Sequence, residues 1–279
     1  MLKREEIRIR DPFIWTDMEN KCYYMYGTTA LCPDTLRTTA SFSVYKSYDL
    51  EHFEDPKVIF DGEKYGFWAD HDFWAPELHV YHGKYYLFAS CKADGKCRAT
   101  QIFVCDTPDG EFVPVSDRPI TPPDWECLDG TFWVEDGIPY MVFCHEWVQV
   151  IDGEIHAVPL ADDLSHPIGE PKLLFRASDN PHVTPIRRRG RDDNYVTDGP
   201  FLFRENGKTK MIWSSFYEGR YLVLEAESDR LLGPWEHHGS RFDFDGGHAM
   251  LFYNLDGERM ISLHSPNKAN FERPMFLKY

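Results

Sequence analysis

Arg10-Asp11-Pro12-Phe13-Ile14, close to the start of the chain, sets a carboxylate directly before an apolar run that reads as a β-strand. Pro12 is expected to hold Asp11 extended, because a proline ring disfavours the helical region for the residue before it. A carboxylate at the mouth of a strand is fixed more firmly than one on a loop. Alone, the stretch reads as an Asp-Pro turn opening a strand. Its significance comes from recurrence. Similar openings stand at Trp74-Ala75-Pro76-Glu77-Leu78, Leu128-Asp129-Gly130-Thr131-Phe132, Thr197-Asp198-Gly199-Pro200-Phe201 and Gly246-Gly247-His248-Ala249-Met250.

Each opening leads to a polar turn and a returning strand. In the first unit, residues 12–15 and 22–26 flank the turn at 17–21, and strands at 42–47 and 57–60 follow. His82-Gly83-Lys84, Glu135-Asp136-Gly137, Glu205-Asn206-Gly207-Lys208 and Leu255-Asp256-Gly257-Glu258 are the matching turns of the later units. The period is irregular, roughly 50 to 70 residues, and each unit suffices for a four-stranded sheet, as in propeller blades. The expected fold is therefore all-β, a five-bladed β-propeller filling residues 1–279 as one domain. The fifth unit is short, so residues 4–9 are expected to supply its outer strand and close the ring. An open β-sandwich would leave the repeated openings unexplained.

Composition agrees. Of 279 residues, 15% are aromatic, with 19 Gly and 19 Pro, as short strands joined by tight turns require. The formal charge of −16 lacks the basic footprint of a nucleic-acid binder. Arg187-Arg188-Arg189-Gly190-Arg191, followed by Asp192 and Asp193, reads as a solvated loop. No apolar run is long enough to cross a bilayer, so no membrane partner is expected. An acidic surface suits a neutral partner such as a small oligosaccharide. The seven cysteines (22, 32, 91, 97, 105, 127 and 144) show no zinc-like pairing and suggest a reducing compartment. Met1-Leu2-Lys3-Arg4-Glu5-Glu6 lacks a secretory signal's apolar core, so a cytoplasmic location is expected.

If each first strand lines a central channel, the openings gather at one end of it. The far ends of the return strands then reach the same face. The openings bring Asp11, Trp74, Glu77, Asp129, Asp198 and His248; the return strands bring Cys91, His145-Glu146-Trp147, Ser214-Ser215 and His264 to Asn267. Carboxylates, tryptophans and histidines in one concave place are the means of sugar hydrolysis. Trp74 and Trp68 are candidates to stack on a sugar ring, with a core role the plain alternative. His71, Asp72, His145 and Trp147 are candidate substrate contacts, and His264 and Asn267 candidate rim contacts.

The five openings, one per unit and in order, resemble glycoside hydrolase family 43, five-bladed enzymes that remove arabinofuranose or xylose units with inversion. The resemblance implies that Asp11 is the general base and that Asp129 orients the acid and tunes its pKa. It makes His248 the histidine near the channel axis, often linked through water to a calcium or sodium ion; no cofactor is required. The general acid is where the pattern departs. The family's usual Glu-Gly-Pro is here Asp198-Gly199-Pro200. Losing a methylene withdraws the carboxyl by about 1.5 Å, a misplacement that can cost about 100-fold in rate. Glu146, whose burial against Trp147 would raise its pKa, is the second candidate. Inversion needs two carboxyls about 6.5–9.5 Å apart, which different blades can supply. The expected activity is exo-acting removal of α-L-arabinofuranosyl or β-xylosyl units from oligosaccharides. The alternatives are a phosphorolytic or a retaining fructoside-cleaving enzyme on a related fold, and a sugar-binding propeller without turnover.

Overall fold

The computed structural model describes residues 1–29 and 40–279, so Cys32 lies outside the described residues. Five antiparallel sheets ring a central axis as propeller blades. Their innermost strands are Arg10–Asp17, His71–Tyr81, Cys127–Glu135, Asp198–Glu205 and Gly247–Tyr253, and each touches the next around the ring. The second strands, which run back to the same face, are Cys22–Thr28, Lys84–Lys92, Ile138–His145, Lys208–Tyr217 and Arg259–Ser265. Blades pack face to face through apolar side chains. Phe42, Phe60, Phe73 and Phe103 lie between the first two blades, and Phe175, Trp213 and Trp235 between the third and fourth. Among the described residues no helix is long and apolar enough to cross a membrane.

The repeated openings are β-bulges. In every blade the register slips at the motif: Arg10 to Phe13, Trp74 to Glu77, Leu128 to Thr131, Asp198 to Phe201 and Gly247 to Met250. A bulge adds a residue that has no ladder partner, so Pro12, Pro76 and Pro200 forfeit no strand bond there. Each slip carries a positive φ, at Asp11 (55°), Ala75 (44°), Asp129 (56°), Gly199 (51°) and His248 (52°). Asp11 is therefore not extended as its proline neighbour suggested; the bulge overrides the local preference. Asp, His and Gly are among the residues that tolerate this region best, which suits four of the five positions.

Ring closure also differs from expectation. Among the described residues the fifth blade has three strands, ending with Arg273–Lys278. Residues 4–9 do not extend it. Lys3 N–H bonds the Glu6 carboxylate (2.8 Å) and curls Arg4–Glu6 into a 3-10 turn. Leu2–Lys3 instead pairs with His52–Phe53 at the edge of the first blade. The arginine-rich stretch is likewise a hairpin, Ile186–Arg188 against Arg191–Asn194, rather than an open loop.

Candidate active site

The bulges place five backbone N–H groups at the channel mouth, all bonded by the preceding blade and four of them by its second strand. At equivalent register positions the second strands present Thr28, Ser90, Cys144, Ser214 and His264. Thr28 Oγ1 accepts from Ala75 N–H (2.8 Å), Ser90 Oγ from Asp129 N–H (2.9 Å) and Ser214 Oγ from His248 N–H (2.8 Å). His264 Nδ1 accepts from Asp11 N–H (3.2 Å), joining the last blade to the first. Cys144 is a weak acceptor. At its joint, Gly199 N–H turns to the Asp129 carboxylate instead (2.9 Å). The ring that closes the propeller thereby fixes Asp129 against the fourth blade.

This ring brings three carboxylates around one imidazole. His248 Nδ1 lies 3.2 Å from Asp11 Oδ1 and 3.8 Å from Asp129 Oδ2. Thr28 donates its hydroxyl to Asp11 Oδ2 (2.7 Å), and Tyr221 donates to Asp198 Oδ2 (3.1 Å). All three carboxylates line one cavity of about 350 Å³, with Trp74, Glu146 and Trp147 on one wall. Arg8 and Arg10, both paired with the fully buried Glu272, line it as well.

The electrostatics separate the three. Burial pushes the Asp11 carboxyl up, but the charge of His248, helped by Arg10, outweighs burial and holds it well below the ordinary carboxylate range. Burial also raises Asp129 and Asp198, and there it prevails over the His248 charge. Asp198 and Asp11 repel Asp129, and Glu146 repels Asp198. Asp129 and Asp198 therefore retain a proton that exposed aspartates would have lost. One carboxylate stays ionised while a neighbouring pair stays partly protonated, which is the division that acid–base chemistry needs.

The other sequence candidates fall into distinct places. Glu146 reaches the cavity, but Arg98 Nη1 pairs with it at 2.6 Å, and Arg98 Nη2 also binds Asp72 at 2.8 Å. The Arg98 guanidinium stacks 3.9 Å from the centroid of Trp74, occupying one face of that indole. His71 and Asp72 line a second, adjoining cavity of about 630 Å³, which shares Trp74, Glu146 and Trp147 with the first. Arg189, at the tip of the arginine hairpin, lies over the Trp147 ring and borders this second cavity. His145 does not line the site cavity; its ring stacks on Trp125 and bonds Gln149. His264 is not at the rim. Its side chain is fully buried beneath Asp11, which makes it a support for that residue. Trp68 is also away from the site cavity, donating to Gln101. Sequence reading missed Tyr221 and Glu272, which arrive from a third strand and from the chain's end.

The donors near His248 suit the ion that the resemblance implies. Glu77, buried on the second blade's innermost strand, lies 3.1 Å from His79, and its charge is felt at His248. Carboxylate oxygen suits a hard cation such as calcium or sodium. Glu77 is the residue that would offer it oxygen, with the charged His248 linked to it only through water, and its charge would add to that of His248.

Gly199 has a direct packing role. A Cβ there would come within 2.7 Å of the His248 ring, and φ is +51°. Gly199→Ala is expected to destabilise the fold by at least about 2 kcal/mol through the left-handed backbone and overpacking. It should also displace His248 and lower activity. Thermal unfolding and turnover measured on one preparation check both effects.

A five-bladed propeller with carboxylates from separate blades around one cavity defines the class as a carbohydrate-cleaving hydrolase. The comparisons give the family. The model for glycosyl hydrolases family 43 matches residues 6–278, and the chain belongs to that family. An endo-arabinase from Bacteroides thetaiotaomicron VPI-5482 is 40% identical, with 100% of this chain and 96% of that chain covered and a TM-score of 0.91. A thermostable family-43 glycoside hydrolase is 23% identical, covering 97% and 89%, with a TM-score of 0.78. An endo-1,4-beta-xylanase from the same Bacteroides strain is 22% identical, covering 99% and 91%, with a TM-score of 0.77. These last two share the fold. A comparison with curated proteins found no match.

Proposed function

We propose that the protein is an inverting glycosidase that cuts arabinofuranosyl linkages within a chain. The observation that carries this reading is the cavity around Asp11, Asp129 and Asp198 adjoining a second one across Trp74, Glu146 and Trp147. Two joined cavities suit a substrate that continues past the cleaved bond, whereas the exo-acting reading expected from sequence calls for a closed pocket. The name of the 40% identical neighbour, endo-arabinase, supports the same reading.

In this mechanism Asp11, ionised, takes the proton of the attacking water. Asp198, kept protonated by burial, protonates the leaving oxygen on the opposite face of the sugar. Asp129 accepts from Gly199 N–H and so positions the acid beside it, while burial and the Glu146 charge raise the acid's pKa. Glu146, neutralised by Arg98, borders the substrate. A calcium or sodium ion held near His248 and Glu77 belongs to this proposal as a source of fixed charge.

The test is the product profile on debranched arabinan. Early release of oligosaccharides with a rapid fall in viscosity, and an inverted anomer by NMR, is the expected result. Free pentose as the sole early product would restore the exo-acting reading. No cleavage of arabinan, xylan or aryl pentosides would overturn both.

A further inference from the structure

Next to the site cavity, but outside it, three side chains converge that the proposed reaction does not use. His145 ends the second strand of the third blade, and Glu154 and His156 open the third strand. His145 and Glu154 are direct register partners. Residues two apart on a strand share a face, and cross-strand partners lie side by side on it. The three therefore present ligand atoms within 4.8 Å of one another.

Hydrogen bonding places a proton on one nitrogen of His145. The Gln149 amide is pinned from both ends: its Nε2 donates to Asp124 O (2.9 Å), and its Oε1 accepts from Glu126 N–H (2.8 Å). The same Oε1 faces His145 Nε2 at 2.7 Å, so Nε2 carries the proton. In the neutral ring Nδ1 is then a bare lone pair. That atom is buried without a hydrogen-bond partner, in a residue only 6% exposed, and it lies 3.4 Å from Glu154 Oε2. A lone pair facing a carboxylate oxygen is repulsive unless a cation stands between them. A charged hydrogen bond would draw in to about 2.7–2.9 Å. Ligands about 2.0–2.1 Å from a tetrahedral zinc ion lie about 3.3 Å from each other.

His156 Nε2 donates to Glu154 Oε2 (2.9 Å), a hydrogen bond that the ion would replace, the proton moving to the buried and unpartnered Nδ1. The other oxygen, Glu154 Oε1, is held by Arg176 Nη2 at 2.8 Å, leaving Oε2 for the cluster. Trp125 stacks on His145 with centroids 4.2 Å apart and meets His156 edge-on. A ligating histidine normally donates its other N–H to a fixed acceptor, as His145 does to Gln149.

We propose that His145, His156 and Glu154 form a zinc site, with water as the fourth ligand. The ion ties the end of the strand that delivers Glu146 to the cavity onto the neighbouring strand. It is separate from the hard-cation position near His248, being built on imidazole nitrogen rather than on oxygen alone.

The test uses the full chain, stripped of metal and titrated with Zn²⁺ or Co²⁺ without sugar. One equivalent of zinc should bind per chain and raise the melting temperature, since it binds the native state alone. Co²⁺ should occupy the same site with a tetrahedral visible spectrum that millimolar Ca²⁺ leaves unchanged. Glu154→Gln should abolish the equivalent. Gln149→Ala, at an exposed position, should weaken zinc about 10- to 100-fold while leaving the fold intact. The proposal is overturned if the unsubstituted chain binds no stoichiometric zinc, or if Ca²⁺ displaces the cobalt. It is also overturned if both variants bind as tightly as the parent, which would move the ion to another cluster such as Glu227, Glu236 and His238.

Discussion

Asp11→Asn is expected to leave a folded protein that binds arabino-oligosaccharide but turns it over roughly 10²- to 10⁴-fold more slowly, the range for removing a general base. The fold should survive because the amide oxygen can still accept from Thr28, and because the ring-closing bond to His264 uses the backbone N–H of this residue. What is lost is the charge. Asp11 is the one carboxylate of the three whose surroundings hold it ionised, through His248 and Arg10. The neutral amide cannot take a proton from water at any working pH. Binding measured by calorimetry should change little while kcat collapses, because the lost interaction acts only in the transition state. A loss below tenfold would remove Asp11 from the base role.

Much of this arrangement was legible in the sequence, for identifiable reasons. The openings at Asp11, Asp129, Asp198 and His248 each stand at the same point of a strand–turn–strand unit, so ring geometry alone brings them together. The bulge behind that position was hidden by a local rule. Pro12 argues for an extended Asp11, but the propeller needs an extra residue there, and aspartate can take the left-handed angle. Strand parity decided other outcomes. His145 and Glu146 adjoin in sequence, yet only Glu146 reaches the cavity, and its neighbour faces Glu154 and Trp125. The arginine hairpin was unreadable because no apolar alternation marks it. It is pinned instead by the Asn194 side chain, which donates to the carbonyls of Ile186, Arg188 and Arg191. Tyr221 and Glu272 carry no motif and are found only from their contacts.

Asp198→Asn is expected to cost rate in proportion to the leaving group's need for a proton. On arabinan, whose leaving group is a sugar alkoxide, the loss should be roughly 10²- to 10⁴-fold. On an aryl arabinofuranoside with an acidic phenol it should be under about tenfold, because that phenolate departs unaided. Glu146→Gln should show no such contrast: burial raises Glu146, but its carboxylate is engaged by the Arg98 guanidinium at 2.6 Å and so is not free to protonate the leaving oxygen. The pH profile follows from the same pair. A general acid works only while protonated, so activity is present at low pH and is lost as pH rises through the acid's pKa. Burial carries Asp198 up to about 6 and Asp129 up to about 8, so kcat/KM on arabinan should fall between those values. Asp11 lies well below the ordinary carboxylate range, which places the acidic limb outside the usual assay window. Asp129→Asn leaves Asp198 to titrate alone, so the alkaline limb should narrow to a single step near the Asp198 value. Equal losses on both substrates in Asp198→Asn, with the contrast appearing in Glu146→Gln instead, would transfer the proton donor to Glu146. In that case Arg98 would have to release its partner when substrate binds.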